Sequence, residues 1–276
     1  MRRPRRIPRG FTIIELAVTM VVIAILLGSI LVPLNTQVES RKYDETQRVL
    51  ERAREALLGF AAANGRFPCP ASATSNGAEH VVSVALGTCD PTVSAPPVNA
   101  GFLPAATLGL APVDGQGYAV DAWGLTPYNR IRYAVSSQTV NGVANPFTAL
   151  PNPPTNTTGM RAAGMANISG AALLHVCSSG ASPPVVAGSV CSVPANVNTL
   201  TTNAVVVIWS VGPNAATTGG LSTDEAENPN PVGGSNDRIF VSKTRSGGTA
   251  GEFDDSVTWI SSATVFNRLI QAGQLP

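Results

Sequence analysis

An apolar segment near the start of the chain restricts the possible folds more than any other feature. Residues 11–34 form an apolar run of 24 residues in which Glu15 is the only charged residue. About 20 apolar residues in a helix span the hydrocarbon core of a bilayer, so this segment is long enough to cross a membrane. Five arginines and no acidic residue precede it in residues 1–10. This asymmetry predicts a cytoplasmic N-terminus and an exported remainder.

Glu15 is the unusual part of this segment. A charge in a membrane helix costs about 2.5–3.5 kcal/mol at the bilayer centre and normally has a partner. An ordinary secretory signal would have a shorter apolar core followed by a small-residue cleavage site, and residues 31–35 offer no such site. A plain signal anchor explains the length and the basic flank equally well, but it does not explain Gly10-Phe11 or Glu15.

The junction Arg9-Gly10-Phe11-Thr12-Ile13-Ile14-Glu15-Leu16 resembles the type IV pilin family, which includes the pseudopilins of type II secretion. Members carry a short basic leader that ends in Gly, then Phe, then Glu at the fifth position after the cut. The resemblance implies cleavage after Gly10 by a prepilin peptidase and N-methylation of Phe11. It also implies that Glu15 pairs with the amino terminus of a neighbouring subunit during assembly. Opposite charges at bilayer depth are tolerable when they are paired.

The segment after the apolar run predicts a continuing amphipathic helix. Between residues 37 and 63 apolar residues recur every three or four positions, and charged residues lie between them, which is typical of a helix with one buried face. Asn64-Gly65 provides a stop signal. We therefore divide the chain into a leader (1–10), a transmembrane and assembly helix (11–34), an amphipathic continuation (35–65) and an exported globular head (66–276).

The sequence pattern of the head predicts an α+β fold in which the long N-terminal helix packs on an antiparallel β-sheet with long loops. The strand candidates are 130–136, 171–177, 203–211, 238–243 and 257–260, and Val205–Trp209 is the strongest because its β-branched run suits the centre of a sheet. Residues 262–272 predict a closing amphipathic helix that stops at Gly273.

Four cysteines lie in the exported part, which allows three pairings. We predict the sequence-local disulfides Cys69–Cys89 and Cys177–Cys191, because each pair brackets its own loop-rich stretch. A zinc site is a rival interpretation, but the chain has no C-x-x-C spacing and its two histidines, His80 and His175, are far apart.

The sequence contains no nucleophile elbow, P-loop, H-E-x-x-H motif or dinucleotide fingerprint, so we predict that the protein is not an enzyme. His175 is interpreted as a structural residue in a strand, and Asp254-Asp255 as an exposed turn before a strand. The leader holds five of the 18 basic residues, which leaves 13 basic against 17 acidic residues in the processed chain. This balance argues against nucleic-acid binding.

Two stretches of the head add to the resemblance. Asp121-Ala-Trp123-Gly124, followed by residues 130–133, is similar to the Asp-x-Trp-Gly turn and strand of major pseudopilins. Ser210-Val-Gly212 then leads to an acidic loop, as in major pseudopilins, where this loop binds calcium. The copy in this chain is longer and the head is larger than usual. Oxygen ligands suit Ca²⁺, and the candidate ligands are Asp224, Glu225, Glu227, Asn228 and Asp237. A hydrated acidic loop is the alternative.

Together these features predict a structural subunit of a pilin-like fibre, first of all a pseudopilin of a type II-like secretion apparatus. One alternative is a minor pilin of a type IV pilus, acting as a tip or adhesive subunit. The other is a membrane-anchored periplasmic binding protein. The expected partners are prepilin peptidase, other pilin-like subunits and the inner-membrane assembly platform. The expected location is the inner membrane, crossed once, with the head in the periplasm and the assembled subunit in the fibre.

Overall fold

The computed structural model describes residues 10–95, 98–124, 126–179, 191, 198–216, 222–228, 238–247 and 252–275, with the backbone alone for 27–36, 95 and 223. The chain divides into two compact units, Met1–Asp44 and Glu45–Pro276. In the described residues, the first unit contains residues 10–12 and the N-terminal part of helix α1, Ile13–Asn64. The second unit contains the end of α1 and the head.

Helix α1 ends where the sequence predicts. Gly65 follows it with a φ of +68°, a left-handed conformation that glycine adopts without a steric penalty. The buried side chains of this part of α1 recur at helical spacing, and they pack on one another and on the sheet: Leu50, Ala53, Leu57, Leu58 and Ala61.

The strands are β1 (Val81–Ser83), β2 (Thr88–Cys89), β3 (Ser94–Ala95), β4 (Val98–Phe102), β5 (Arg132–Ser136), β6 (Leu174–Cys177), β7 (Thr199–Ser210), β8 (Ile239–Val241) and β9 (Ser256–Ser261). The helices after α1 are α2 (Ala105–Leu108), α3 (Gly159–Ala163), α4 (Met165–Gly170), α5 (Thr223–Ala226) and α6 (Ser262–Gln271), with a 3₁₀ turn at Pro127–Asn129.

Strands β1 and β2 form a hairpin, and the other seven form one sheet in the order β3-β4-β5-β7-β6-β8, with β9 paired to β7. The α+β fold and all five predicted strands are confirmed. The strand predicted as central, β7, pairs with β5, β6 and β9. The sheet is not wholly antiparallel, however, because β8 pairs with β6 in parallel.

The sequence analysis missed β4, which pairs along its whole length with β5. Its residues, Val-Asn-Ala-Gly-Phe, do not alternate between apolar and polar, and prolines 96, 97 and 104 lie on either side. All five face a packed interior to some degree, which removes the period-two pattern that indicates a half-exposed strand.

The sheet buries apolar side chains on both faces. On one face, side chains of β5, β7 and β9 pack with α1 and α6 in the main core. On the other face, Trp209 packs edge-on against Phe240 with ring centroids 5.2 Å apart. The predicted closing helix, α6, begins with Ser261, whose side-chain oxygen accepts a hydrogen bond from the Thr264 amide.

Candidate functional site

Glu15 takes part in a capping box at the start of α1. Its amide donates to Thr12 Oγ1, and its carboxylate oxygen Oε2 accepts from the Thr12 amide and hydroxyl, each at 3.3 Å. This reciprocal arrangement satisfies helix-end donors that would otherwise lack partners. The Thr-x-x-Glu spacing that produces it is visible in the sequence, but the sequence analysis assigned Glu15 only an assembly role.

The apolar side chains around Glu15 are exposed in the single chain. Phe11, Ile13 and Ile14 are 80, 90 and 77% exposed, and the large apolar residues that follow, up to Leu26, are also exposed. Among the described residues, no helix combines the length and the hydropathy needed to cross a membrane. The side chains of 27–34, the end of the expected spanning segment, lie outside the described residues.

Both predicted disulfides are present in the structure. Cys69 and Cys89 join the hairpin β1–β2 to the chain that follows α1, with their Cα atoms 5.5 Å apart. Cys177, at the end of β6, pairs with Cys191 at a Cα distance of 5.6 Å. All four sulfurs are therefore bonded, which rules out a zinc site that uses these cysteines.

A cluster of three acidic side chains forms where α5 meets the start of β9. Glu225 lies in α5, and Asp254 and Asp255 directly precede β9. Carboxylate oxygens of the three residues lie within 4.8 Å of one another. Within the described ranges, no other three His, Cys, Asp or Glu side chains approach closely enough to hold one metal ion. We call Glu225, Asp254 and Asp255 the carboxylate cluster.

Glu225 is held in place by donors on two sides. Ser222 caps α5 by accepting a hydrogen bond from the Glu225 amide. The side-chain amide of Asn214 donates to both Glu225 carboxylate oxygens, at 3.3 and 3.2 Å, and the Asp254 backbone amide donates to Oε1 at 3.1 Å. The carboxylate of Glu225 is thereby oriented before any ligand binds.

Asp254 is one of the two buried members of the cluster, with Glu225. It is 4% exposed, and neither of its carboxylate oxygens makes a hydrogen bond of normal geometry among the described residues, although the Asn214 backbone lies near enough to oppose part of the rise in its pKa. Gly212 lies directly against it, since a Cβ at that position would be 2.6 Å from Asp254 Oδ1. A buried carboxylate without donors or a counter-charge costs several kcal/mol. The arrangement therefore favours either a proton or a cation at Asp254.

Asp255 is linked to the edge strand β8 and to a buried arginine. The side-chain amide of Asn228 donates to Asp255 Oδ2 and to the Val241 carbonyl, and its oxygen accepts from the Val241 amide at 2.8 Å. Arg132, in β5, is 2% exposed. Its positive charge acts on Asp255 and on the buried Asp121.

The electrostatics of the cluster follow from burial and like charge. Burial, together with the negative charges of Glu225 and Glu252, raises the pKa of Asp254 to about 7. Burial and the neighbouring carboxylates raise the pKa of Asp255 to about 8. Burial lowers the pKa of Arg132 to about 10, against the opposing effect of Asp255 and Asp121. Near neutral pH, the cluster gains from any ligand that supplies positive charge.

A family model of the prokaryotic N-terminal methylation motif matches residues 5–31. The chain carries the methylation motif that is the hallmark of type IV pilins and pseudopilins. No curated protein and no solved structure shows a significant match to the chain. The motif confirms the resemblance and indicates a pilin-like substrate of prepilin peptidase, a class of structural rather than catalytic proteins. It covers the N-terminal segment and does not reach the head.

The structure places the predicted calcium ligands of the head at different points. Glu225 belongs to the carboxylate cluster, and Asn228 lies beside it. Asp224 instead contacts Lys243 and accepts a hydrogen bond from Ser179. Glu227 is buried at 8% exposure, and Asp237 lies outside the described residues.

The interpretation of Asp254-Asp255 as an exposed turn is wrong for Asp254, which is buried. The two aspartates join Glu225, 29 positions earlier than Asp254, because β9 pairs with β7 and starts opposite Ser210. The sequence signal that could have indicated the cluster is the Ser210-x-Gly212 end of β7 combined with two acidic residues directly before β9, the strand that pairs with it. His175 lies in β6 as expected and is buried.

Proposed function

We propose that this protein is a structural subunit of a pilin-like fibre, cut by prepilin peptidase between Gly10 and Phe11 and methylated on Phe11. The methylation motif is the observation that carries this proposal. Gly10, Phe11 and Glu15 all fall inside the match. An added Cβ at Gly10 would meet no atom within 4 Å, so a requirement for glycine at this position would come from the peptidase and not from the fold.

Intact-mass analysis of the protein tests the processing. In cells with an active prepilin peptidase, we expect a chain that begins at Phe11 and carries one extra methyl group. Gly10→Val leaves the folded head intact and keeps residues 1–10, which gives a matched control. If the wild-type chain retains residues 1–10 in such cells, the pilin-like assignment fails and a plain membrane anchor takes its place.

We further propose that residues 11–34 hold the precursor in the inner membrane, with the leader (1–10) in the cytoplasm and the head (66–276) in the periplasm. The basic leader and the length of the apolar run support this orientation. Cysteine labelling or a reporter fused to residue 276 tests it. A reporter that is active only in the cytoplasm contradicts the orientation.

Among pilin-like systems, we favour a pseudopilin of a type II-like secretion apparatus that interacts with other subunits and with the assembly platform. The similarity of residues 121–124 to the Asp-x-Trp-Gly turn supports this choice. A minor pilin of a type IV pilus is the second candidate, favoured by the large head. Deleting the gene separates the two, because loss of a secreted protein with normal pili supports the first and loss of pili supports the second.

We also propose that the carboxylate cluster binds one divalent cation, for which calcium is the first choice. Hard carboxylate oxygens, together with amide and backbone oxygens nearby, suit Ca²⁺. Asp254 supports the site most strongly, because it is buried and neither of its oxygens makes a hydrogen bond of normal geometry among the described residues. The ligand set accordingly moves from the predicted loop to Glu225, Asp254 and Asp255. A ligand that binds the folded state alone must raise the melting temperature. An unchanged melting temperature in millimolar calcium refutes the site.

A further inference from the structure

A chain of contacts leads from the carboxylate cluster to helix α1, and it begins at Gly212. The backbone of Gly212 lies against the Asp254 carboxylate, which leaves no room for a Cβ there, and its φ of +67° is one that other residues rarely adopt. The Gly212 amide donates to Ser210 Oγ at 3.2 Å. A change in the position of Asp254 is therefore transmitted directly to the end of β7.

The next link is the carboxylate of Asp121. Ser210 Oγ donates to Asp121 Oδ2 at 2.6 Å, and the Trp123 amide donates to Oδ1 at 2.9 Å. Ser210 and Asp121 are 1 and 5% exposed, so water does not replace these hydrogen bonds. Asp121 thus ties the end of β7 to the turn at residues 121–124.

This turn contacts α1 through Thr46. The Ala122 amide donates to Thr46 Oγ1 at 3.2 Å, and Thr46 is fully buried. Leu50, one helical turn further along, belongs to the main core. Thr46 and the turn both lie in the unit Glu45–Pro276, so the link joins the head to the part of α1 that packs within it.

Arg132 provides a second, electrostatic connection along the same route. Its charge acts on both Asp255 and Asp121. A divalent cation at the carboxylate cluster supplies positive charge to Asp255, which leaves the guanidinium to Asp121. Because a close-packed interior has low compressibility, this change in the interactions of Arg132 is transmitted to neighbouring groups.

We propose that a divalent cation bound by the carboxylate cluster tightens the attachment of α1 to the head, through Gly212, Ser210, Asp121 and the Ala122–Thr46 contact. This inference rests on the cation site proposed above and adds a regulatory role to it. The helix concerned is the one that carries the methylation motif at its start. Cation binding in the head thereby controls how firmly the head holds the part of α1 that lies within the unit Glu45–Pro276.

Hydrogen exchange of the full processed chain in detergent, with about 5 mM calcium or with chelator, tests this coupling. Coupling free energies between sites typically correspond to fivefold effects or more. We therefore expect calcium to slow the exchange of α1 amides at residues 46–60 at least about fivefold. The melting temperature is recorded on the same samples.

Variants separate the coupling from the site. In Thr46→Val, we expect calcium still to raise the melting temperature but no longer to slow exchange in α1. Ser210→Ala breaks the route at another link and should behave in the same way. Thr148→Val is the matched control, because Thr148 is equally buried and its hydroxyl donates to the Gly87 carbonyl at 2.7 Å, away from this route. It should keep both responses.

Three results overturn parts of the proposal in distinguishable ways. If calcium raises the melting temperature of the wild type without slowing exchange in α1, the cation site stands and the coupling is wrong. If neither quantity changes, the cation site itself is wrong. Retention of the calcium response in α1 by both Thr46→Val and Ser210→Ala refutes the route.

Discussion

Replacing Asp254 by asparagine should stabilise the protein when calcium is absent and leave it less stable than the wild type when calcium is present. The change removes the charge and nearly preserves the shape of a side chain that is 4% exposed. Without a cation, the folded protein holds a proton on Asp254 up to a pKa of about 7, whereas the unfolded carboxyl has an ordinary pKa of 3.8. The wild type therefore loses stability as the pH rises from about 4 to about 7, and Asp254→Asn does not.

The size of the effect follows from the two pKa values. The difference between 3.8 and about 7 corresponds to about 4 kcal/mol at pH 8. The asparagine side chain of the variant would be a buried amide with unsatisfied donors, which offsets about 1–3 kcal/mol of this gain. In chelator at pH 8, the free energy of unfolding of Asp254→Asn should therefore exceed that of the wild type by about 1–3 kcal/mol. For a chain of this size, this corresponds to about 2–12 °C in melting temperature.

Calcium should reverse the order. A ligand at 1,000 times its dissociation constant stabilises the folded state by about 4.1 kcal/mol, which exceeds the advantage of Asp254→Asn, and only the wild type retains the full cluster that gains this energy. Thermal melts at pH 5 and pH 8, each with calcium and with chelator, measure all the quantities required. Asp44→Asn, a change of the same kind at an exposed position of α1, controls for general charge effects. If Asp254→Asn melts below the wild type in chelator at pH 8, and calcium raises both equally, the reasoning about this cluster is refuted.

Three further predictions concern other parts of the chain. Glu15→Leu should insert into membranes normally and fail to enter the fibre, as judged by shearing and immunoblotting; Thr12→Ala, which removes the capping partner and keeps the charge, should still assemble. Replacing both Cys177 and Cys191 by serine should cost about 3 kcal/mol of stability for a loop of this length, measured by denaturant unfolding, while non-reducing peptide mapping of the wild type should show this pair. Burial lowers the pKa of His175, so in calcium the protein should lose stability as the pH falls below about 6.5. The loss should be smaller in His175→Gln, and identical pH profiles of the two proteins would contradict this role of His175.

The elements that could be predicted from the sequence are those whose signal is local. The apolar spacing of α1, the β-branched run of β7 and the amphipathic pattern of α6 are local signals, and the structure confirms all three elements. The disulfide pairing was also accessible, because each pair closes a short stretch of chain. Strand β4 was not, since it is buried on both faces and shows no alternation.

The carboxylate cluster could not be predicted because it depends on strand register. Taken alone, Asp254-Asp255 is a polar dipeptide after a glycine-containing loop, a pattern that favours an exposed turn. Asp254 becomes buried because Ser256 pairs with Ser210 at the start of β9, which brings the dipeptide beside Gly212 and the Glu225 side chain. A register shift of one residue would turn each side chain of β9 to the other face. The same register places Gly212 between Asp254 and Ser210, so the proposed cation site and its proposed connection to α1 depend on one strand pairing.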